Sequence, residues 1–390
     1  MQARQKRLAQ LRDSITEVSP REALTLQQQG AVLIDVREPD EVAHGSPSAA
    51  ERIVRGFLEL KVEDRAPNLQ QTVLVMCAGG ERSLFAARDL QELGYSDVRS
   101  VKGGFASWSK DGLPVEIPPQ LSAAERERYR RHVTIPEVGE AGQLRLLSSK
   151  VLLIGAGGLG SPAAFYLAAA GVGTLGIVDD DHVDRTNLQR QILHTEDRIG
   201  QPKVDSARKT LLALNPGIEV VPHAERLTKH NVEEIFSGYE LVLDGSDNFP
   251  TRYLVNDACV KLRLPNVHGA IYRFEGQVSV FWPAREDEPG PCYRCLFPEP
   301  PPAELAPSCA EAGVLGVLPG VVGTLEAVEA IKILLGIGRP LVGRLLLYDA
   351  LQQRFSEMRI ERNPACPVCS DQAEVIAYPD YEEFCAVQVL

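Results

Sequence analysis

No stretch of this sequence is long and apolar enough to cross a bilayer. Its most hydrophobic segment, Gly313 to Gly336, is broken by Pro319, Glu326, Glu329 and Lys332. The residues up to Pro20 alternate charge with Leu and Ile at helical spacing and lack the apolar core and small-residue cleavage site of a secretory leader. No Lys/Arg run is long enough to make a polyanion stripe, and the formal net charge of -12 over 390 residues sets up no positive field. Repeats and low-complexity tracts are missing too. Together these absences argue against a membrane span, a secreted product and a nucleic-acid partner, and the expectation is a cytoplasmic protein.

What is present exceeds one hydrophobic core, so two or more domains are expected. The first, residues 17–117, alternates strand, loop and helix. A capping-box signal at Ser19-Pro20-Arg21-Glu22 precedes the apolar run Ala31 to Ile34, which ends at Asp35. A second buried strand, Thr72 to Met76, runs into the glycine-rich loop Cys77 to Ser83, and a helix is expected from about Leu84 to Leu93. Residues 118–124 read as a linker. The second domain, 125–370, opens with a charged helix around Glu125 to His132. The strand Val151 to Ile154 then feeds a glycine loop, and strands near Thr174 to Val178, Ile218 to Val221, Leu241 to Leu243 and Gln277 to Trp282 follow. The fold class is therefore α/β: a small parallel-sheet domain, then a doubly wound Rossmann-like sheet with antiparallel additions. The acidic tail, 371–390, has no clear periodicity.

The loop Gly155-Ala156-Gly157-Gly158-Leu159-Gly160 places backbone N–H groups and a helix N-terminus against a phosphate. A nicotinamide dehydrogenase would show the same loop, with Asp179 on a ribose. What distinguishes this chain is the sequel: Asn187 to Gln191, Gly200-Gln201-Pro202-Lys203 and Asp244-Gly245-Ser246-Asp247-Asn248. Arg190 and Lys203 are suited to triphosphate oxygens, and Asp247 to a magnesium ion (Mg2+) at the α-phosphate.

Eight cysteines in a reducing compartment point to metal or nucleophile rather than disulfide. Cys292/Cys295 and Cys366/Cys369 form two C-x-x-C pairs in Pro-rich loops, the supply of a closed, structural four-thiolate zinc (Zn2+) site; a redox pair is the alternative. Cys77, after a strand and before a helix, sits among N–H groups that favour a sulfur anion.

From Arg126 to Ser370 the motifs just quoted, with Gly276-Gln277 and Cys292-Tyr293-Arg294-Cys295, follow the order seen in the MoeB/ThiF-type adenylyltransferases, relatives of the ubiquitin-activating enzymes, and the segment resembles that family. The resemblance implies ATP as cosubstrate: Gly158 and its loop against the nucleotide, Asp179 on the ribose, Asn187, Arg190 and Lys203 on the phosphates, and Asp247 as the magnesium-associated carboxylate. It also implies a homodimer, with Arg131 reaching into the neighbouring subunit's site. Cys309 matches a loop cysteine that in some relatives links covalently to the carrier, and a small core residue is the plainer reading. Residues 17–117, through Ile34 to Pro39, Cys77 to Ser83 and Val101 to Trp108, resemble the rhodanese family. That implies a persulfide on Cys77, Arg82 supporting its loop, and structural roles for Asp35 and Arg37.

The combined expectation is adenylation of the C-terminal Gly carboxylate of a ubiquitin-like sulfur-carrier protein ending in Gly-Gly, of the molybdopterin-synthase type, followed by sulfur transfer. The sulfur would come from a cysteine desulfurase persulfide or thiosulfate. Alternatives are a carrier of a thiamine or cysteine pathway, a tRNA or peptide acceptor, an NAD-dependent oxidoreductase and a non-enzymatic scaffold.

Overall fold

The computed structural model describes residues 3–301, 313–373 and 378–386, so Cys309 lies outside the described residues. The chain divides into two compact units, Met1–Gln120 and Leu121–Leu390. Among the described residues, no helix is long and apolar enough to cross a membrane.

The first unit is built on a parallel sheet in the order Thr16–Val18, Asp97–Val101, Thr72–Met76, Val32–Asp35, Glu51–Arg52. Both faces of its central strands are covered, which is why they read as continuous apolar runs. Val73 and Val75 pack on one side with Leu84, Ala87 and Leu90 of the helix Arg82–Glu92, while Leu74 and Met76 pack on the other with Trp108. Ser19 caps the helix Pro20–Gln28 by accepting from Glu22 N at 3.2 Å. Reciprocal capping boxes form instead at Glu38/Glu41 and Ser122/Glu125. Asp35 and Arg37 make a buried bidentate pair, 2.9 and 2.7 Å, closed by Ser46 Oγ and the Gly45 carbonyl.

The second unit carries an eight-stranded sheet: Glu219–His223, Thr174–Val178, Lys150–Ile154, Leu241–Asp244, Asn266–Tyr272, Glu275–Phe281, Arg344–Asp349, Arg354–Arg359. The first five are parallel and the last three are joined antiparallel, as the doubly wound reading required. The helix Leu318–Leu335 covers one face and Phe249–Leu262 the other. The charged helix expected over Glu125 to His132 is in fact two, Ala123–Arg128 and Arg130–Val133. They part at Tyr129, whose ring turns inward. Its hydroxyl accepts from Asn215 Nδ2 at 2.9 Å, and the ring fills the space where a Cβ on Gly171 would stand.

Glu326, on the helix Leu318–Leu335, is fully buried against Gly269, and neither carboxylate oxygen has a hydrogen-bond partner among the described residues. Burial, with the nearby Asp244 adding to it, raises its carboxyl well above the usual value of 4.5. Unfolded, the group ionises near 4.5; folded, it resists. Its contribution to stability is therefore complete below 4.5 and lost as pH rises through the folded value. Glu326→Gln, which cannot ionise, is expected to melt higher than wild type at pH 8 by roughly 3 °C, the gap closing toward pH 4.5. A pH-independent gap in thermal melts would show that the group does not titrate across folding.

Candidate functional site

Three strands of the second unit, Lys150–Ile154, Thr174–Val178 and Leu241–Asp244, end side by side at the point where the strand order reverses, the usual crevice of an open α/β sheet. Each delivers a loop to one cleft. The walls include Gly155, Gly157, Gly158, Asp179, Arg190, Lys203 and Asp247. Gly155 adopts φ +95°, and a Cβ on Gly160 would meet the Gly155 carbonyl oxygen at 2.0 Å, so the turn into the helix Gly160–Ala170 needs glycine at both ends. Gly160 itself is buried, off the cleft wall.

Asp179 Oδ2 accepts from Ala156 N at 2.8 Å and Oδ1 from Asp181 N at 2.9 Å, tying the glycine loop to the next strand end. Burial raises its carboxyl above the usual range, and the Lys203 ammonium 4.0 Å away opposes that shift. Lys203 is almost wholly buried and donates to Asp181 Oδ2 at 2.7 Å. Arg190 lines the cleft, and its Nη2 donates to Asn187 Oδ1 at 2.7 Å. Asn187 thus touches the guanidinium rather than lining the cleft. Asp247 is exposed at the cleft, beside Asn248, which caps the helix Phe249–Leu262 by accepting from Thr251 N at 2.9 Å. Arg131 is exposed on Arg130–Val133 and is not part of the cleft wall of its own chain.

Several supporting residues escape a reading of the sequence. Asp244 is buried; its Oδ1 accepts from Ser246 N and Oγ at 3.1 and 2.6 Å, and its Oδ2 from His268 Nδ1 at 3.1 Å, which pins the turn presenting Asp247. His194 Nε2 donates to the Ala156 carbonyl at 2.9 Å, so Nδ1 accepts from Ser206 Oγ at 3.0 Å; burial lowers its pKa and keeps this neutral form. Arg252 donates to the Ser246 carbonyl at 3.2 and 3.1 Å from the cleft wall. Only Asp244, inside the D-G-S-D-N run, carried a signal. The two histidines have no local motif, because their partners are distant in sequence.

The sulfurs of Cys292, Cys295, Cys366 and Cys369 converge: Cys292 lies 3.9 Å from Cys295 and 3.6 Å from Cys366, and Cys295 lies 3.4 Å from Cys369. Tetrahedral ligation with Zn–S bonds of about 2.3 Å needs S···S near ~3.8 Å, so the four fit one ion. Asn363 N also points at Cys295 Sγ, 3.4 Å away, as a thiolate would require. Among the described residues, Cys259 and Cys385 lie outside this cluster, Cys259 buried on Phe249–Leu262.

In the first unit Cys77 is buried at the end of Thr72–Met76. Gly80 N and Ser83 N point at its sulfur from 3.1 and 3.3 Å. The loop rests on the helix Gly104–Lys110: Phe105 N donates to the Cys77 carbonyl at 2.8 Å, and a Cβ on Gly104 would meet that oxygen at 2.1 Å. Gly103-Gly104 is thus a close approach between backbones. Arg82 forks onto Glu41 at 2.8 and 2.6 Å, anchoring the loop to Pro39–Val42; their mutual hydrogen bonds raise the pKa of Arg82 and lower that of Glu41.

Residues 129–368 match the ThiF family and residues 19–111 the rhodanese-like domain. A sulfur carrier protein adenylyltransferase of Thermus thermophilus is 56% identical over 68% of this chain and 98% of its own length. The SAMP-activating enzyme E1 of Haloferax volcanii is 52% identical over 69% of this chain and 98% of its own. The adenylyltransferase and sulfurtransferase MOCS3 of Drosophila grimshawi is 48% identical over 83% of this chain and 71% of its own. Among solved structures, E. coli MccB with AMPCPP and MccA superposes with a TM-score of 0.55 at 22% identity, over 63% of this chain and 75% of that one, a likeness of fold.

Proposed function

Because this chain belongs to the ThiF family and carries a rhodanese-like domain, we propose that it adenylates the C-terminal carboxylate of a ubiquitin-like sulfur-carrier protein and then converts it to a thiocarboxylate. The observation that carries the reading is the convergence of Arg190, Lys203 and Asp247 on the cleft of the glycine loop. A free carboxylate is a poor electrophile, since attack would place a second negative charge on it. Its oxygen attacks the α-phosphorus of ATP, the bond to the β-phosphate breaks, and pyrophosphate leaves. The acyl adenylate that remains has a good leaving group.

Backbone N–H groups of the Gly155–Gly160 loop and the cations Arg190 and Lys203 offset charge on the phosphates in a site organised before the reaction. Asp179 would bind the ribose, and the hydrogen bond from Ala156 N to its carboxylate supports that role. Asp247 would hold magnesium, which would neutralise charge at the α-phosphate. The exposure of Arg131, off its own cleft, supports a homodimer in which it completes the partner's site.

The terminal sulfur of a Cys77 persulfide then attacks the acyl carbon and AMP leaves. A thiol attacks Cys77 Sγ of the resulting acyl disulfide, so that the thiocarboxylate leaves and a disulfide between that thiol and Cys77 remains; Cys309, which by the family resemblance links covalently to the carrier, is the candidate to take the acyl group before the persulfide does. An external dithiol reduces the disulfide left on Cys77, being itself oxidised to a disulfide, and a protein persulfide or thiosulfate then reloads the freed Cys77 thiolate with sulfane sulfur. Carrier-dependent exchange of labelled pyrophosphate into ATP tests the first half, and NADH binding without ATP use would overturn it.

We assign zinc to the four cysteines. Bound there, it would cross-link the 292–295 and 366–369 segments and contribute folding energy, with no open position for chemistry. Cys366→Ser is expected to lower metal content from one zinc per chain to near zero and the melting temperature by about 10 °C. Full stability without metal, measured by elemental analysis and melting, would remove the assignment.

A further inference from the structure

Ser100, on the strand Asp97–Val101, lies against the reactive loop although it belongs to no part of it. Its Oγ donates to Ser83 Oγ at 2.9 Å, and Ser83 Oγ stands 3.5 Å from Cys77 Sγ. Both serines are fully buried, beneath a sulfur that is itself buried. Hydroxyls in such surroundings are costly unless each has a partner, and among the described residues the side-chain partners of these two are each other and the sulfur.

A chain of three such groups has two proton directions. With Cys77 as a thiol, S–H donates to Ser83 Oγ. With Cys77 as an anion the sulfur accepts only, so Ser83 O–H must turn toward it, and Ser83 Oγ is then free to accept from Ser100. The backbone N–H groups of Gly80 and Ser83 already face the sulfur, and the Ser83 hydroxyl would be a third donor.

We propose that Ser100 is a positioning residue for the sulfur chemistry: by donating to Ser83 Oγ it holds the Ser83 hydroxyl proton toward Cys77 Sγ and so favours the anionic sulfur over the thiol. This rests on the reading of Cys77 as the sulfur carrier. No covalent bond between heavy atoms changes; the thiol proton leaves to solvent and the two hydroxyls reorient.

The charged groups around the sulfur are Arg82 with Glu41 and Glu38 behind it, Glu81 paired to Arg4, and the exposed Lys102 just past the Ser100 strand. The buried Asp35–Arg37 pair lies on the neighbouring strand end. Substituting the serines alters none of these charges, so a change in reactivity would report the hydroxyl chain.

The test is alkylation of Cys77 by iodoacetamide in the full chain, followed by peptide mass spectrometry from about pH 5 to pH 10. In Ser100→Ala and in Ser83→Ala the midpoint is expected to move to higher pH by about 0.5–1 unit. The double variant should move no further than Ser83→Ala alone, because Ser100 acts through Ser83. A Ser100→Ala profile equal to wild type, or a shift that adds fully to that of Ser83→Ala, overturns the proposal. Should Ser100→Ala fail to fold, Ser100→Cys, near in shape and a weak donor, is expected to show the same upward shift, and an unshifted profile there also overturns it. Thiocarboxylate formation by a Cys77→Ala variant tests the parent reading separately, and the alkylation profile does not depend on it.

Discussion

Cys77→Ala is expected to reduce thiocarboxylate formation by at least about 10³-fold while leaving carrier-dependent pyrophosphate exchange near the wild-type rate. The asymmetry follows from where the proposed function puts the two chemistries. The sulfur sits in the core of the first unit, ringed by Gly80 N, Ser83 N and the Ser83 hydroxyl, whereas the cleft is walled entirely by residues of the second unit. Alanine removes the atom that carries sulfur and little else, since the loop stays tied down by Arg82–Glu41 and by Phe105 N on the Cys77 carbonyl. Quantifying carrier thiocarboxylate by mass spectrometry alongside exchange separates the halves. Loss of both activities would refute the division of labour, and retention of both would refute the sulfur role.

Asp247→Ala should lower pyrophosphate exchange by about 10²–10³-fold with little change in melting temperature. The side chain is exposed at the cleft, and among the described residues its side-chain hydrogen bond is a long one, accepted from Asn248 Nδ2 at 3.4 Å. Truncating it is therefore expected to leave the fold alone and, on the proposed reading, to act on charge at the phosphates. Its buried neighbour Asp244 has the opposite character, accepting from Ser246 and His268, so a change there would mix structural and chemical loss. A normally active Asp247→Ala enzyme in the exchange assay would remove the magnesium assignment.

Much of the fold was legible in advance. Buried parallel strands such as Thr72–Met76 and Lys150–Ile154 must satisfy packing on both faces, so they are written as unbroken apolar runs flanked by glycine turns. The hairpin Arg344–Asp349 with Arg354–Arg359 has no such signature in the sequence. Its outer strand is exposed along its whole length and carries charge at several positions, so no buried face imposes a pattern. The charge pattern of residues 125–132 predicts one unbroken helix, and the break at Tyr129 comes from a partner, Asn215, far along the chain. The helix Tyr381–Ala386 was hidden in the acidic tail. What places it is Tyr381, whose hydroxyl donates to Asp257 Oδ2 at 2.8 Å beside the buried Asp257–Arg294 pair.

By itself the sequence determined the two-domain α/β plan, the glycine turn, the cysteine pairs and the candidate reactive cysteine. Each of these is a local requirement: a backbone that only glycine can adopt, ligand spacing within one loop, or a run of apolar residues. Only the tertiary structure decided which groups hold the functional ones in place: Asp244 and His268 behind Asp247, His194 on the glycine loop, Ser100 behind Ser83. It also brought the sulfurs of 292–295 within reach of those of 366–369. Such pairings leave no local trace because a hydrogen bond depends on distance in space, and here chain separation is set by how the whole sheet is wound.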